Sequence, residues 1–453
     1  MLAALIAGSG LCFVHASHQF PLSKEICGTA LFKVHSLSLK KSSFGKRWTY
    51  RGTVLAFLST SVPSYPFFST AIPCMIHLPY SSKEPPQANR SYLISGILKQ
   101  IAPYEYCLRP AKSHEWRPLE GTWSYAEARY QFKKTTKWWI QDNIRGKEEA
   151  ALLAGLATGE FDDRLMQYEF GRFGLQHIMA VSGFHFSIIA VILSIFLRLF
   201  IQRQAVTLLL IFFLSAYFLF LGFSASILRS WIMALISLAG LLLHKRSTGL
   251  NSLGVALLAL LCLDPLEVTR LGFQFSFLIT AAILLFYPLC DQQLQQIFAK
   301  RSLSEMVEMN RLNQHGYCIL TLFRQAVALT GAVNLVAFPL LLYYFQKFPL
   351  LSLFYNLFFP FLISISMLFL LVGFLFFFLP PVATAIHAVN TLYTHWALSF
   401  THHFPISLDC VFQCPPFSVE PLIFYLTLIF SLGIYLTHLT RRERIWAEPK
   451  FSL

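Results

Sequence analysis

From residue 183 onward the chain alternates long uncharged runs with short basic breaks, a pattern absent from its first third. A helix needs roughly 20 apolar residues to cross about 30 Å of hydrocarbon. Runs of that kind cover 183–201, 205–223, 225–243, 249–263, 271–290, 318–346, 349–380, 382–399 and 421–438. The 249–263 run is short, and 349–380 is long and interrupted by Pro360, so both are expected to bend or re-enter. With the apolar start over 1–16 counted as an anchor helix, the pattern predicts about ten crossings.

Upstream of these runs the apolar period is two. Gly28–His35, Trp48–Leu55, Cys74–Leu78 and Tyr92–Leu98 are short, rich in β-branched and aromatic residues, and separated by Pro, Ser and Gly. About five strands within 25–110 predict a small extracytoplasmic β-domain; an OB-like barrel is the natural candidate, although periodicity alone does not separate it from a sandwich. Over 116–158 the pattern turns helical and amphipathic, with Lys133, Lys134 and Lys137 interleaved with Trp138 and Trp139, as in a linker helix lying at a membrane surface. The remaining divisions are a membrane domain over 159–440 and a basic tail over 441–453.

Composition agrees with that reading. With 55% hydrophobic residues, 13% charged residues and 45 phenylalanines in 453 positions, the chain reads as a polytopic α-helical membrane protein. Net charge is +14, and residues 17–150 hold twelve Lys and seven Arg against nine acids. Such a balance favours anionic partners, nucleic acid or lipid headgroups, or serves ordinary solubility. Basic loops follow alternate spans: Arg198 and Arg203, Lys245 and Arg246, Lys300 and Arg301, then Arg441, Arg442 and Arg444. The positive-inside rule puts these loops and the C-terminus in the cytoplasm, with the β-domain outside. On that side Cys27, Cys74, Cys107, Cys410 and Cys414 are disulfide candidates, pairing Cys410 with Cys414 or among the first three. No spacing resembles a zinc site or a phosphate loop, so no metal or cofactor is expected.

Candidate chemistry concentrates in Gly174-Leu-Gln-His-Ile-Met-Ala-Val-Ser-Gly-Phe-His185, which opens into the first long run. Gly183 permits a break, and a helix restarting there presents free N–H groups and a positive dipole end to an anion. The polar residues His177, Ser182 and His185 flank it. Alternatively, the Ser-Gly pair serves close helix packing, or Ser182 and His185 act as nucleophile and base, with neither orienting acid nor oxyanion donors in evidence. Within the runs lie Arg229 and Arg324 but no Asp or Glu, which disfavours a proton- or cation-coupled carrier and suits a lumen for polyanions. Arg229, at mid-depth, reads as functional; Arg324, near a run's start, reads as snorkelling to the interface. Gln274, Asn334, Asn356, His387 and Asn390 line the same lumen or bond helix to helix. In the β-domain, Lys46, Arg47, Trp48, Tyr50 and Arg51 mix cations with aromatic rings, as single-strand binders do, or form a solvated strand edge.

Those residues resemble the ComEC-type competence proteins, membrane channels for DNA uptake in natural transformation. Gly174–His185 is similar to the family's Gly-Leu-x-His-Leu-Leu-Ala-x-Ser-Gly-Leu-His signature, with Phe184 and Phe186 in place of smaller aliphatic residues. Ser226-Ile-Leu-Arg-Ser230, Asp264-Pro265 with Gly272-Phe-Gln-Phe-Ser-Phe277, and Pro339 to Asn356 resemble further family segments. The resemblance implies passage of single-stranded DNA through the bacterial cytoplasmic membrane, an OB-like ectodomain, and partnership with an external DNA receptor and a cytoplasmic helicase, as a monomer or an oligomer. Many members add a metallo-β-lactamase-like domain with a His-x-His-x-Asp-His motif. This chain has no such motif, so it is expected to be non-enzymatic. The rival expectations are a transporter of another anionic solute or lipid and an intramembrane hydrolase.

Overall fold

A computed structural model describes residues 25–42, 45–59, 72–80, 85–102, 105–111, 116–119, 121, 123–161, 163–180, 183–245, 247–402, 404–405 and 409–447. The expected anchor over 1–16 lies outside them. The residues form two units, the first comprising 1–165, 215–223 and 262–266.

In the first unit, β1 (Ile26–Ser42), β2 (Gly45–Ser59), β3 (Ile72–Pro79), β5 (Glu105–Pro110) and β4 (Ser91–Ala102) are neighbours in that order, and β4 returns to pair with β1. A barrel results, with β3–β5 as its one parallel pair and the short β6 (Arg117–Pro118) appended to β4. This 1-2-3-5-4-1 closure is the Greek-key order of the OB-fold and removes the sandwich alternative. Closure depends on β1, whose 17 residues pair on both edges and bend at irregularities between Leu31 and Phe32 and between Val34 and Ser36. Gly52 crosses β1 between them, where a Cβ would run into the carbonyl of Lys33. Alternation sends Phe32, Tyr50, Ile94 and Leu108 into the core.

Helix α1 (Tyr125–Asn143) follows the barrel, capped by the Ser124 hydroxyl, which accepts from the Ala126 N–H. It is held to the barrel by the Ala88 N–H donating to Glu127 Oε2 at 2.7 Å. Helix α2 (Lys147–Thr158) ends on Gly159 at φ +73°, the left-handed cap that glycine adopts without penalty. Of the three lysines expected outward on α1 only Lys134 is exposed: Lys133 is buried and Lys137 half-buried, while Phe132 and Trp138 are exposed.

The second unit contains α3 (Arg164–Arg172, from Met166), α4 (Gln176–Met179), α5 (Gly183–Arg198), α6 (Arg203–Leu221, whose last turns belong to the first unit), α7 (Ala225–Leu242) and α8 (Gly249–Leu263). After a 3-10 turn come α9 (Leu271–Ile297), α10 (Leu303–Glu308), α11 (Arg311–Phe345), α12 (Leu351–Leu375), α13 (Pro380–His402) and α14 (Val419–Ala447). A small ribbon joins β7 (Lys347–Pro349) to β8 (Val411–Gln413). Among the described residues six helices, α6, α7, α9, α11, α12 and α14, are long and apolar enough to cross a membrane. The chain is therefore a polytopic helical membrane protein with a β-barrel, and the count of about ten crossings is not confirmed among the described residues. Helices α5 and α8, at 16 and 15 residues, extend only about 24 and 22 Å. Pro360 does not end α12, as Pro288 and Pro339 do not end α9 and α11. Neighbouring helices in a membrane bundle hold the backbone groups that proline frees.

Helices α9, α11 and α14 pack around Ala282, Phe286, Ala332, Val336 and Leu422. Between α12 and α13 the seam is polar: the Thr394 hydroxyl lies 3.0 Å from Ser366 Oγ and 3.1 Å from Asn390 Oδ1. His387, also buried, fills the space left by Gly373. Both residues thus join helix to helix.

Three expectations need correction here. Helix α9 runs on to Ile297, carrying Asp291 within a spanning helix, so the spans are not free of acid. Arg324 does not snorkel; it is buried, its Nε donating to Asp291 Oδ1 at 3.0 Å and its Nη1 to the Phe298 carbonyl at 2.9 Å. The five cysteines considered for disulfides are free thiols. Cys410 and Cys414 bracket the extended β8, which sets their Cα atoms about 13 Å apart where a disulfide needs under about 7 Å. Cys74 lies in the barrel core, whereas Cys107 pairs laterally with Met75 and takes the opposite face. Cys27 is exposed on β1, two strands from Cys107 across β4, or about 10 Å.

Candidate functional site

Helix α7 begins at Ala225 because the Ser224 hydroxyl accepts from the Ile227 N–H. That start places Arg229 in the second turn on the buried side, 8% exposed. Its Nη1 donates to the main-chain carbonyl of Ser276 on α9 at 2.7 Å, and its Nη2 to Ser230 Oγ at 3.4 Å. The Ser230 hydroxyl in turn donates to the Ser226 carbonyl at 2.7 Å. Arg229 Nε and the Ser276 hydroxyl are buried without a hydrogen-bond partner.

Gly183, the first residue of α5, faces this cluster. A Cβ there would lie 3.3 Å from Ser230 Oγ and 3.9 Å from Arg229 Nη2, so the missing side chain lets α5 start against the guanidinium. His185 and Phe186 are buried one turn further on. Three cations are buried among the described residues: Lys133, Arg229 and Arg324. Lys133 meets Glu160 at 3.1 Å and Arg324 meets Asp291 at 3.0 Å. Arg229 meets no carboxylate among the described residues. A buried charge without a counter-ion costs several kcal/mol, which makes Arg229 the exception in this bundle.

The structure brings Gly183 and Arg229 together, buries His185 two residues along α5, and disperses the remaining described path residues. Ser182 lies outside the described residues. His177, on α4, is exposed with Nδ1 3.2 Å from the Gly174 carbonyl. Gln274 donates to the Val268 carbonyl at 3.0 Å and accepts from the Tyr344 hydroxyl. Asn334 donates to its own helix at Thr330 and borders an open groove with Phe338, Phe348 and Tyr425. Asn356 has a buried Oδ1 without a partner. A second open groove is lined by Tyr355, Phe358, Phe400 and Phe404. Arg229 borders neither groove and is buried between α7 and α9.

Sequence reasoning missed the clamp that holds the segment leading into this cluster. Arg172 grips Asp409 through Nε and Nη2 at 2.8 and 2.7 Å, and His402 pairs with Glu169 at 2.8 Å. Neither pair is close in sequence, so no local pattern marks them.

On the barrel, Lys46 and Arg51 are exposed and Arg47 is half-buried. Tyr50 is 0% exposed, its hydroxyl donating to the Pro86 carbonyl at 2.8 Å, and Trp48 is also buried. The register of β2 turns Trp48 and Tyr50 inward, so neither ring is presented at the barrel surface. The exposed ring is Tyr80, at 52%, stacked on Trp48 with centroids 5.9 Å apart and topped by Lys46 Nζ at 5.6 Å. A cation over an exposed ring is the chemistry expected of Tyr50, moved to the end of the adjacent strand.

The model of the Competence protein family matches residues 158–439, well over half the chain and including Gly174–His185 and Arg229. The chain belongs to the Competence protein family. It is similar to ComE operon protein 3 of Bacillus subtilis (strain 168), 28% identical over 192 residues, which are 42% of this chain and 21% of that relative. The matched part is thus about a fifth of the relative's length. No solved structure matches the chain. The barrel lies outside the family match, so its reading rests on strand order alone. As a ComEC-type competence protein, the chain carries its signature where α5 meets α7.

Proposed function

We propose that this competence protein forms a passage for single-stranded DNA across the bacterial cytoplasmic membrane, with the seam between Gly183 and Arg229 as the point that meets the phosphate backbone. The observation that carries the reading is the buried, carboxylate-free guanidinium of Arg229. Its present partners are a neutral carbonyl and a hydroxyl. Phosphate oxygens would replace both with charge-assisted bonds, which are roughly twice as strong. The start of α5 adds its dipole and free N–H groups. In this reading the closed seam is the resting state, and a polyanion opens it by competing for Arg229.

The barrel collects the strand outside, with Tyr80 and Lys46 as the contact, and the C-terminus lies in the cytoplasm. The chain guides without catalysis. A surface DNA receptor delivers the strand and a cytoplasmic helicase or translocase draws it in. The test is uptake of labelled DNA in a deletion strain carrying Arg229→Gln or Gly183→Leu. Both are expected to abolish uptake while the protein still inserts in the membrane. Normal uptake in both would discard the route, and loss of uptake of a small anion with DNA uptake intact would favour a solute transporter.

A further inference from the structure

Helix α1 turns Lys133 and Lys137 inward, against the sequence-based expectation, and the reason is visible at the end of α6. A helix leaves its last carbonyls without intrahelical donors. At α6 they are taken by α1: the Tyr125 hydroxyl donates to the Leu219 carbonyl, and Lys133 Nζ donates to that of Leu221 at 2.9 Å. Gly222, at φ +92°, follows directly, and a Cβ on it would lie 2.6 Å from Arg129 Nη1. Two cations therefore sit at the negative end of the α6 dipole. Glu160 balances the arrangement, accepting from Lys133 and Lys137 at 3.1 Å each. Two of the three lysines expected to face lipid headgroups are consumed inside.

The side left facing outward mixes the rings of Tyr125, Phe132 and Trp138 with the polar Gln131, Lys134, Thr135 and Asp142. Tyr125, Phe132 and Trp139 recur every seven residues and so form one line along α1. Phe132 is 68% exposed and Tyr125 38%, while Trp139 is half-buried. The line begins at Leu219, which with Phe223 is itself exposed at the end of a membrane-spanning helix. The aromatic line thus continues a lipid-facing flank at the depth where a spanning helix ends, the layer in which Tyr and Trp are enriched.

We propose that α1 is an interfacial helix whose Tyr125–Phe132–Trp139 line is inserted at the headgroup–acyl boundary of the bilayer, with Lys133 clamping α6 and Lys137 held by Glu160 instead of binding lipid. Because insertion is apolar, it does not depend on anionic lipid. The inserted helix also fixes the height of the barrel, since Arg129 Nη2 donates to the His35 carbonyl of β1 at 2.7 Å. The proposal stands independently of the DNA reading, and its test uses no DNA.

The experiment places benzoylphenylalanine at Phe132, or at Gln141, about two and a half turns further on and on the opposite side of the helix, in the full chain reconstituted in vesicles of phosphatidylcholine or of phosphatidylcholine with phosphatidylglycerol. Irradiation at position 132 is expected to yield severalfold more lipid adduct than at 141, equally in both vesicles and at low and high salt. Adducts to protein at 132, equal lipid adducts at both positions, or adducts that require phosphatidylglycerol would each overturn it. Substituting an aromatic by an aromatic at 132 keeps folding intact, and circular dichroism of each variant confirms it.

Discussion

The guanidinium of Arg229 reaches from α7 to the main-chain oxygen of Ser276 on α9 at 2.7 Å, so two spanning helices are joined by a cation that no acid among the described residues balances. Arg324 joins α9 and α11 in the same bundle, but through Asp291. The two arginines should therefore respond in opposite ways to the same change. Arg324→Gln strands a carboxylate, and removing one partner of a buried pair costs about 3–5 kcal/mol. Arg229→Gln removes a charge that burial penalises, so stability in detergent should stay within about 1 kcal/mol of the parent. DNA uptake should nevertheless fall far more in Arg229→Gln than in any variant of equal stability. Thermal unfolding and uptake measured on both variants check this; a large stability loss in Arg229→Gln would make it a structural residue.

Gly183 predicts a graded series. With a Cβ placed 3.3 Å from Ser230 Oγ, Gly183→Ala requires Ser230 to give way by a few tenths of an ångström, whereas Gly183→Leu must push α5 from α7. Overpacking of this sort costs about 1–3 kcal/mol. Uptake should fall modestly for alanine and disappear for leucine. Adding Ser230→Ala should restore the alanine variant but not the leucine one. Failure of that rescue would show that glycine is needed there for backbone freedom and not for space.

The barrel and the start of α5 were legible because their signals are local: period-two alternation, and a glycine opening an apolar run. What stayed hidden depended on partners remote in sequence. Arg324 reads as an interfacial residue until α9 is seen to extend past residue 290 and deliver Asp291. Lys133 reads as a headgroup ligand because nothing near it in sequence shows that the carbonyls of α6 await a donor. Tyr50 and Tyr80 are both aromatic residues near Lys46, and only the register of β2 decides which ring is inside. For the cysteines, counting was possible but faces and strand separations were not.

Tyr80 and Lys46 provide a test of the barrel as a strand collector. Stacking of a base on an aromatic side chain is worth about 1–3 kcal/mol by alanine substitution. Tyr80→Ala should weaken binding of a single-stranded oligonucleotide to the full chain by roughly tenfold or more, with little sequence preference. Lys46→Gln should lower the salt dependence of binding by about one phosphate contact. Tyr50→Phe loses only the bond to Pro86, so it should cost about 1 kcal/mol in stability and leave oligonucleotide affinity unchanged. Equal affinity in the parent and Tyr80→Ala would remove this ring from the interface.

Glu160 makes the junction of α1 with the end of α6 sensitive to acid. Burial by itself would raise its pKa, but Lys133 and Lys137 outweigh burial and hold the carboxyl below its ordinary value. A folded-state pKa below that of the unfolded chain means that the unfolded chain takes up the proton first as pH falls. The stabilisation is therefore complete above the unfolded carboxylate value of about 4.5 and is lost as pH drops through the lowered folded value. Glu160→Gln should abolish this contribution at neutral pH, at a cost approaching about 3 kcal/mol because Lys133 stays buried, and should flatten the acid limb of the unfolding curve. Lys137→Gln, on the more exposed member of the trio, should do much less. Since Lys133 also caps Leu221, the amide protons of 215–223 should exchange faster in Glu160→Gln than in the parent, and hydrogen exchange read by mass spectrometry measures that directly.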